Sequence, residues 1–488
     1  VTGVLVAVLV CAAVGALFDR ALFRVPGAGA LERAGRALLL GLGLVGSLSM
    51  ALDAVGIPIT RLSLGAAVAA LALLLWPGAR KRRPAAPGAG ARAADDEAGA
   101  PRWLTGALLA LAAVGLAQAL FAAWVRPTFQ FDSITRWMFK TQVLAYEHTL
   151  RGPVSTDPEF AFTHQRYPPL VCHVANLPAL VNGRFDDRLA GSMFPWYMVA
   201  LVGVVHGALA RRAGRLRAAI GAAWVGNLPL LAYVMYPPPG AGAASAMADV
   251  PLSLFLAGAA LALVDGLEGW RDRAHVEAGL LLGFAALTKN EGLPAIAFAA
   301  LVVLLCARRA RWRTAAGVAG LALLVFWLLW GRLAATFPAL DENYTGVIGL
   351  TTLAAGHEGP VGLAALVERL PRLPRILKAL ALEACSFRSW NLTWLAVPAL
   401  LLVGRVRRGV VAMLLLAGLQ LGAYVFALVI TAWTSPAAEL AGSDPVDYLM
   451  TLTLGRLLVH VAPLCIAAAL LACPPLVGRR PGTTPAAG

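Results

Sequence analysis

Charge is scarce in this 488-residue chain: Asp, Glu, Lys and Arg make up 14% of it, where a soluble domain carries about 25%. Hydrophobic residues reach 59%, and no stretch between the apolar runs is long enough for a soluble domain of ordinary size. Cysteine is sparse too. Cys11, Cys172, Cys306, Cys385, Cys465 and Cys473 form no CxxC pair and meet no His at metal-ligand spacing, which argues against a zinc or redox centre. At most Cys172 and Cys385, both in segments expected outside the membrane, are placed to pair. Internal repeats and paired interrupted helices are also lacking, which counts against a secondary transporter.

What fills the chain is a series of apolar runs of about 15 to 25 residues, the hydropathy signature of stacked transmembrane helices. Spans are expected near 1–18, 37–55, 62–77, 103–125, 190–210, 218–236, 251–267, 276–288, 293–307, 314–331, 392–404, 409–433 and 456–476. The expected fold is therefore an all-α polytopic membrane protein of about thirteen transmembrane helices. Two large exterior loops, 126–189 and 332–391, are expected to carry amphipathic interfacial helices. The first run has no basic flank ahead of it and more spans behind it, so it reads as a span rather than a cleaved leader.

The net charge of +15 lies in small clusters between apolar runs, not along one face, so nucleic acid is not an expected partner. Arg20, Arg24, Arg33 and Arg36, then "ARKRRP", "RRAGRLR", "WRDR", "RRARWR", "RVRR" and "GRR", all fall on one side if the spans alternate. Positive charge in short connections marks the cytoplasm. The N-terminus is then outside and the C-terminus, with a tail over 477–488, inside. The Pro/Gly/Ala-rich stretch 80–102 is expected to be a flexible cytoplasmic linker. It separates three leading spans in 1–79 from the remaining ten in 103–476.

Ionisable residues gather where the chain leaves the membrane on the exterior side. "FQFDSITRWMFK" puts Asp132 just past an apolar run, and Asp132, Arg136 and Lys140 at i, i+4 and i+8 share a face if a helix begins at Asp132. Its apolar positions, among them Ile134, Trp137, Met138 and Leu144, fit a helix lying on the outer surface with Trp137 at headgroup level. "HQRYPPL" follows with His164 and Tyr167, "MADVPLSLF" places Asp249 at the mouth of a later span, and "TKNEG" places Lys289 and Glu291 at a turn between two short apolar runs. Arg456 lies just inside the last span, where an unpaired guanidinium is costly. In the second large loop Arg369, Arg372, Arg375 and Lys378 recur every three residues, a basic stripe suited to anionic lipid headgroups.

In this order and on this common side, Asp132, Trp137, Lys140, the "YPP" at Tyr167, the "ADVPL" around Asp249 and the "TKNEG" at Thr288 resemble the bacterial GT-C glycosyltransferases. These are polytopic enzymes of the glycosyltransferase family 39 kind, related to protein O-mannosyltransferases and to the aminoarabinose transferase of lipid A. The resemblance covers about residues 103–476. It implies inverting transfer of a sugar from a polyprenyl-phosphate donor to a lipid, glycan or protein acceptor on the non-cytoplasmic face of the bacterial inner membrane. It also implies catalytic roles for Asp132, as base, and for Asp249. Arg136, Lys140, Lys289 and Arg456 are candidates for meeting phosphate charge, and His164, Tyr167 and Glu291 for substrate contact. Mg or Mn is an open requirement, because the acidic signature "FDS" is a single Asp without an acidic neighbour. The competing expectation is a polytopic transporter or lipid flippase, in which charges would line a pathway through the middle of several spans.

Overall fold

The computed structural model describes residues 1–81, 101–228, 242–271, 273–307, 311–337, 363–431 and 442–474. Their regular structure is entirely helical. Among them nine helices are long and apolar enough to cross a membrane: Thr2–Phe23, Ala30–Ala54, Arg61–Arg80, Arg102–Val125, Asp187–Ala213, Asp249–Leu267, Arg311–Ala334, Arg408–Ile430 and Pro445–Ala472. The protein is a polytopic membrane protein.

Three of the expected spans are helices shorter than these nine, Ala274–Thr288, Asn290–Cys306 and Thr393–Val403. A fourth, expected over 218–236, begins as helix Arg215–Gly226, and its second half lies outside the described residues. The first two are short because the charged turn at Lys289–Gly292 interrupts the apolar run and Pro294 restarts it in the first turn of the next helix. A helix of fifteen residues is about 22 Å long, less than the roughly 30 Å hydrocarbon core. A fourth short apolar helix pair, Leu170–Asn182, lies within the expected first exterior loop. Residues 170–176 of that pair are completely buried, so this part of the loop folds into the bundle. The linker 80–102 falls almost wholly outside the described residues, as do the tail 477–488 and much of the second expected loop.

We label the elements used below α1 (Thr2–Phe18), α2 (Ala30–Ala54), α3 (Phe139–Glu147), α4 (Leu170–Ala175), α5 (Pro195–Ala213), α6 (Asp249–Leu267), α7 (Ala274–Thr288), α8 (Leu293–Cys306), α9 (Leu373–Ala384), α10 (Arg408–Ile430) and α11 (Pro445–Ala472). Helix α6 is buried along nearly its whole length. Helices α1 and α2 share one apolar core with the later helices. Their crossing depends on glycine: a Cβ on Gly41 would stand 1.8 Å from the Cys11 carbonyl oxygen, and one on Gly15 would stand 1.9 Å from that of Ala37. Small residues let backbones approach where lipid supplies no hydrophobic drive for helix association.

Asp249 and Asp265 mark the two ends of α6, sixteen residues and about 24 Å apart. Around Asp265 a buried ion-pair network ties five segments together. Arg36 joins Asp19 to Glu277, the latter at 2.7 Å; Arg271 joins Asp265 at 2.7 Å to Glu277 at 2.5 Å; Arg211 meets Glu32, and Arg212 meets Asp265. Arginines from three of the expected cytoplasmic clusters thus share one end of the bundle.

Two expectations for interfacial helices change. Trp137 is buried and packs edge-on against Tyr167, and Met138, Thr141 and Leu144 are buried with it. The apolar face of α3 is turned into the bundle against α4, so Trp137 is not a headgroup anchor. The basic stripe is used by the protein as well. Arg369 donates to the Ile430 carbonyl at 2.5 Å and Arg372 to that of Thr431 at 2.9 Å, capping the carboxyl end of α10. Arg375 pairs with Asp444 and Asp447. Cys172 is buried and Cys385 exposed, and both are free thiols.

Candidate functional site

At the end of α6 away from the ion-pair network, the chain gathers acids and bases from four segments. Asp249 opens α6 and is completely buried. Lys289 and Glu291 come from the turn joining α7 to α8. Arg456 sits three turns into α11. Asp132 immediately precedes a π-helical turn, Ser133–Met138, that leads into α3. The Ser133 hydroxyl donates to the Ser245 carbonyl, which docks this turn onto the segment just ahead of Asp249.

Arg456 is the hub. Its Nη1 meets Asp132 Oδ2 at 2.6 Å and its Nε meets Asp249 Oδ2 at 3.1 Å. Lys289 Nζ lies 3.0 Å from Asp249 Oδ1 and 2.7 Å from Glu291 Oε1. Arg136 stands 3.4 Å from Asp132 Oδ1 with its guanidinium over the Tyr167 ring. Asp132, Asp249, Arg136, Lys289, Glu291 and Arg456 therefore form one connected cluster.

Lys140 braces the neighbouring loop. Its Nζ donates to the carbonyls of His164 at 2.8 Å and Tyr167 at 3.0 Å, fixing the loop that carries them. The reason is local: i→i+5 bonding in the π turn breaks the 3.6-residue register, so Arg136 stays near Asp132 while Lys140 turns toward the loop. His164 and Tyr167 border the cluster with their rings edge-on at 5.4 Å.

Three participants escaped the sequence reading. His460 Nε2 is 2.9 Å from Asp249 Oδ1, the Tyr424 hydroxyl is 2.7 Å from His460 Nδ1, and Gln420 Nε2 donates to Tyr424 at 2.8 Å. The signal was present as spacing: His460 follows Arg456 by four residues and Tyr424 follows Gln420 by four, each pair on one face of an apolar helix.

Burial pushes the Asp132 carboxyl up, but the Arg456 and Arg136 guanidiniums more than offset it and hold its pKa below the ordinary carboxylate value. Asp132 is thus ionised at neutral pH and, while paired, a weak base. Burial, together with Arg136 and Lys140, lowers the His164 imidazole to about 4, so it is neutral there. The donor set does not fit a divalent cation. Each carboxylate of the cluster faces a guanidinium or ammonium group, and among the described residues no group of three or more His, Cys, Asp or Glu is placed to hold a metal ion.

The arrangement can receive an anion. A phosphate oxygen entering beside Asp132 would meet Arg456 and Arg136, the two guanidiniums that pair with that carboxylate, in a partly desolvated site where charge-assisted hydrogen bonds are strong. A scan against protein-family models gives no match, and neither does a search of curated proteins.

Proposed function

We propose that the chain is an integral-membrane glycosyltransferase that moves a sugar from a polyprenyl-phosphate donor to an acceptor on the non-cytoplasmic face, as the GT-C resemblance implies. The observation that carries this reading is the sharing of Arg456 between Asp132 and Asp249 at the exit from the membrane. An inverting transfer needs a carboxylate near the acceptor nucleophile and cations near the departing phosphate. Both lie within one hydrogen-bonded cluster here.

In this reading the acceptor hydroxyl attacks the anomeric carbon and the bond from that carbon to the phosphate oxygen breaks. Polyprenyl phosphate leaves with both bonding electrons, and the hydroxyl proton passes to Asp132. Asp132 is too weak a base while Arg456 holds it. When the donor phosphate draws Arg456 Nη1 away, the carboxylate loses its main stabilising charge and its basicity rises. Substrate binding thus switches on the base.

A transport pathway would need polar groups through the depth of the bundle. Between Asp249 and Asp265 the buried helix α6 carries a single polar side chain, Ser253, which donates to the Val459 carbonyl. That apolar middle favours chemistry at one end over passage between the two. The Arg-rich end would face the cytoplasm of a bacterial inner membrane, with the N-terminus outside.

The test is transfer of radiolabelled sugar from a panel of polyprenyl-phosphate donors by membranes containing the wild type or Asp132→Asn at matched expression. Transfer by the wild type that Asp132→Asn loses supports the reading. Equal transfer by both removes Asp132 from the mechanism, and no transfer with any donor overturns the assignment.

A further inference from the structure

Behind Asp249 lies a hydrogen-bonded ring that the transfer chemistry does not itself use. Gln420 Nε2 donates both to the Tyr424 hydroxyl at 2.8 Å and to the Glu291 carbonyl at 2.7 Å. Tyr424 meets His460 Nδ1 at 2.7 Å, and His460 Nε2 meets Asp249 Oδ1 at 2.9 Å. Lys289 closes the ring by joining Asp249 to the Glu291 carboxylate. The directions follow from donor chemistry. An ionised Asp249 only accepts, so His460 carries its proton on Nε2; in the neutral ring Nδ1 then accepts from the Tyr424 O–H, whose lone pair accepts from Gln420. The links from Gln420 through Tyr424 and His460 run in one direction, toward Asp249, and such chains polarise one another in a low-dielectric interior.

The two carboxylates that share Arg456 are therefore held very differently. Asp249 is 0% exposed and accepts from three side chains, those of Lys289, His460 and Arg456. Asp132 keeps 16% of its side chain exposed and depends on Arg456, with Arg136 more distant. An incoming anion will compete for Arg456 at the Asp132 end, where the partner is single and accessible.

We propose that Gln420, Tyr424 and His460 are positioning residues that fix Asp249 as an immobile anchor for Arg456 and Lys289, leaving Asp132 alone to release Arg456 to the donor phosphate. This rests on the glycosyltransferase reading. The ring never touches substrate. Its effect is on where the two cations stand when the phosphate arrives.

The experiment uses the full chain in lipid nanodiscs and the variants Tyr424→Phe, His460→Gln and His460→Leu. Transfer kinetics are measured with donor and acceptor varied separately, alongside thermal stabilisation by undecaprenyl phosphate alone. Tyr424→Phe is expected to raise the donor KM about tenfold, one hydrogen bond's worth of misplacement, with the acceptor KM unchanged. His460→Gln keeps an N–H for Asp249 and is expected within about threefold of the wild type, while His460→Leu loses more than about tenfold. Undecaprenyl phosphate should stabilise the wild type more than Tyr424→Phe. Equal damage from His460→Gln and His460→Leu would mark a merely structural ring and overturn the proposal, as would a Tyr424→Phe variant indistinguishable from the wild type in an active preparation. A wild type that neither transfers sugar nor gains stability from undecaprenyl phosphate would overturn the glycosyltransferase reading itself.

Discussion

Replacing each of the two acids on Arg456 by its isosteric amide separates anchor from exchangeable partner. Asp249→Asn leaves Arg456, Lys289 and His460, three donors from two segments, converging on a neutral amide at a fully buried position. Asn can accept through one oxygen only, and its NH2 group must face one of these donors. Removing one partner of a buried charge pair costs about 3–5 kcal/mol, since the remaining charge is left uncompensated. Asp132→Asn is milder. Arg456 keeps Asp249, the position is partly exposed, and the loss is one charge-assisted bond at 2.6 Å, about 1–2 kcal/mol. Purified variants in nanodiscs should therefore unfold on heating in the order Asp249→Asn, then Asp132→Asn, then wild type, with the larger gap between the first two. Both should lose sugar transfer. If Asp132→Asn proves as unstable as Asp249→Asn, the anchor and the exchangeable acid are not distinct and the argument fails.

Three further outcomes follow from other parts of the molecule. Gly41→Leu drives a side chain into the Cys11 backbone and should cost about 3 kcal/mol or more, read as loss of monodisperse protein. Arg375→Ala breaks pairs that are nearly half exposed and should change stability by less than about 1 kcal/mol, and by less still in high salt. For His164 the folded pKa of about 4 lies below the ordinary 6.5, so the unfolded chain takes up the proton first as the pH falls. Its contribution to stability is intact above about 6.5 and is lost as the pH drops toward about 4. His164→Asn, which accepts the positive φ of that position, should flatten this part of a stability-versus-pH curve.

The clustering of Asp132, Asp249, Lys289, Glu291 and Arg456 was legible because alternation of apolar runs sorts charged residues by side, and that sorting needs no knowledge of packing. Local geometry was not legible in the same way. A π turn leaves no compositional mark, so Lys140 was expected on the face of Asp132 when it instead braces the His164 loop. Amphipathicity also cannot tell lipid from protein: Trp137 and the Arg369–Arg375 stripe carry the pattern of surface-lying helices, yet both face partners that only the fold supplies. His460, Tyr424 and Gln420 lie inside apolar helices, where one polar residue reads as tolerated until its i+4 neighbour is counted.

The contrast between the two ends of α6 bears on what the charges are for. Buried Arg–carboxylate pairs are weak evidence of stabilisation, because desolvation consumes most of the Coulomb gain. Around Asp265, four arginines meet three sealed acids, Asp265, Glu277 and Glu32, and two partly open ones, Asp19 and Glu268, and the network holds α2, α5, α6 and α7 in register. The pairing at the Asp249 end is graded in the same way. Asp249 is sealed, Lys289 is nearly so, Arg456 is slightly open, and Asp132 and Glu291 are the most accessible. Exposure alone therefore does not separate the two ends. Under the proposed transfer chemistry what matters is that Arg456 holds one acid at a sealed position and one at a partly open position, so that an entering phosphate would replace Asp132 and not Asp249.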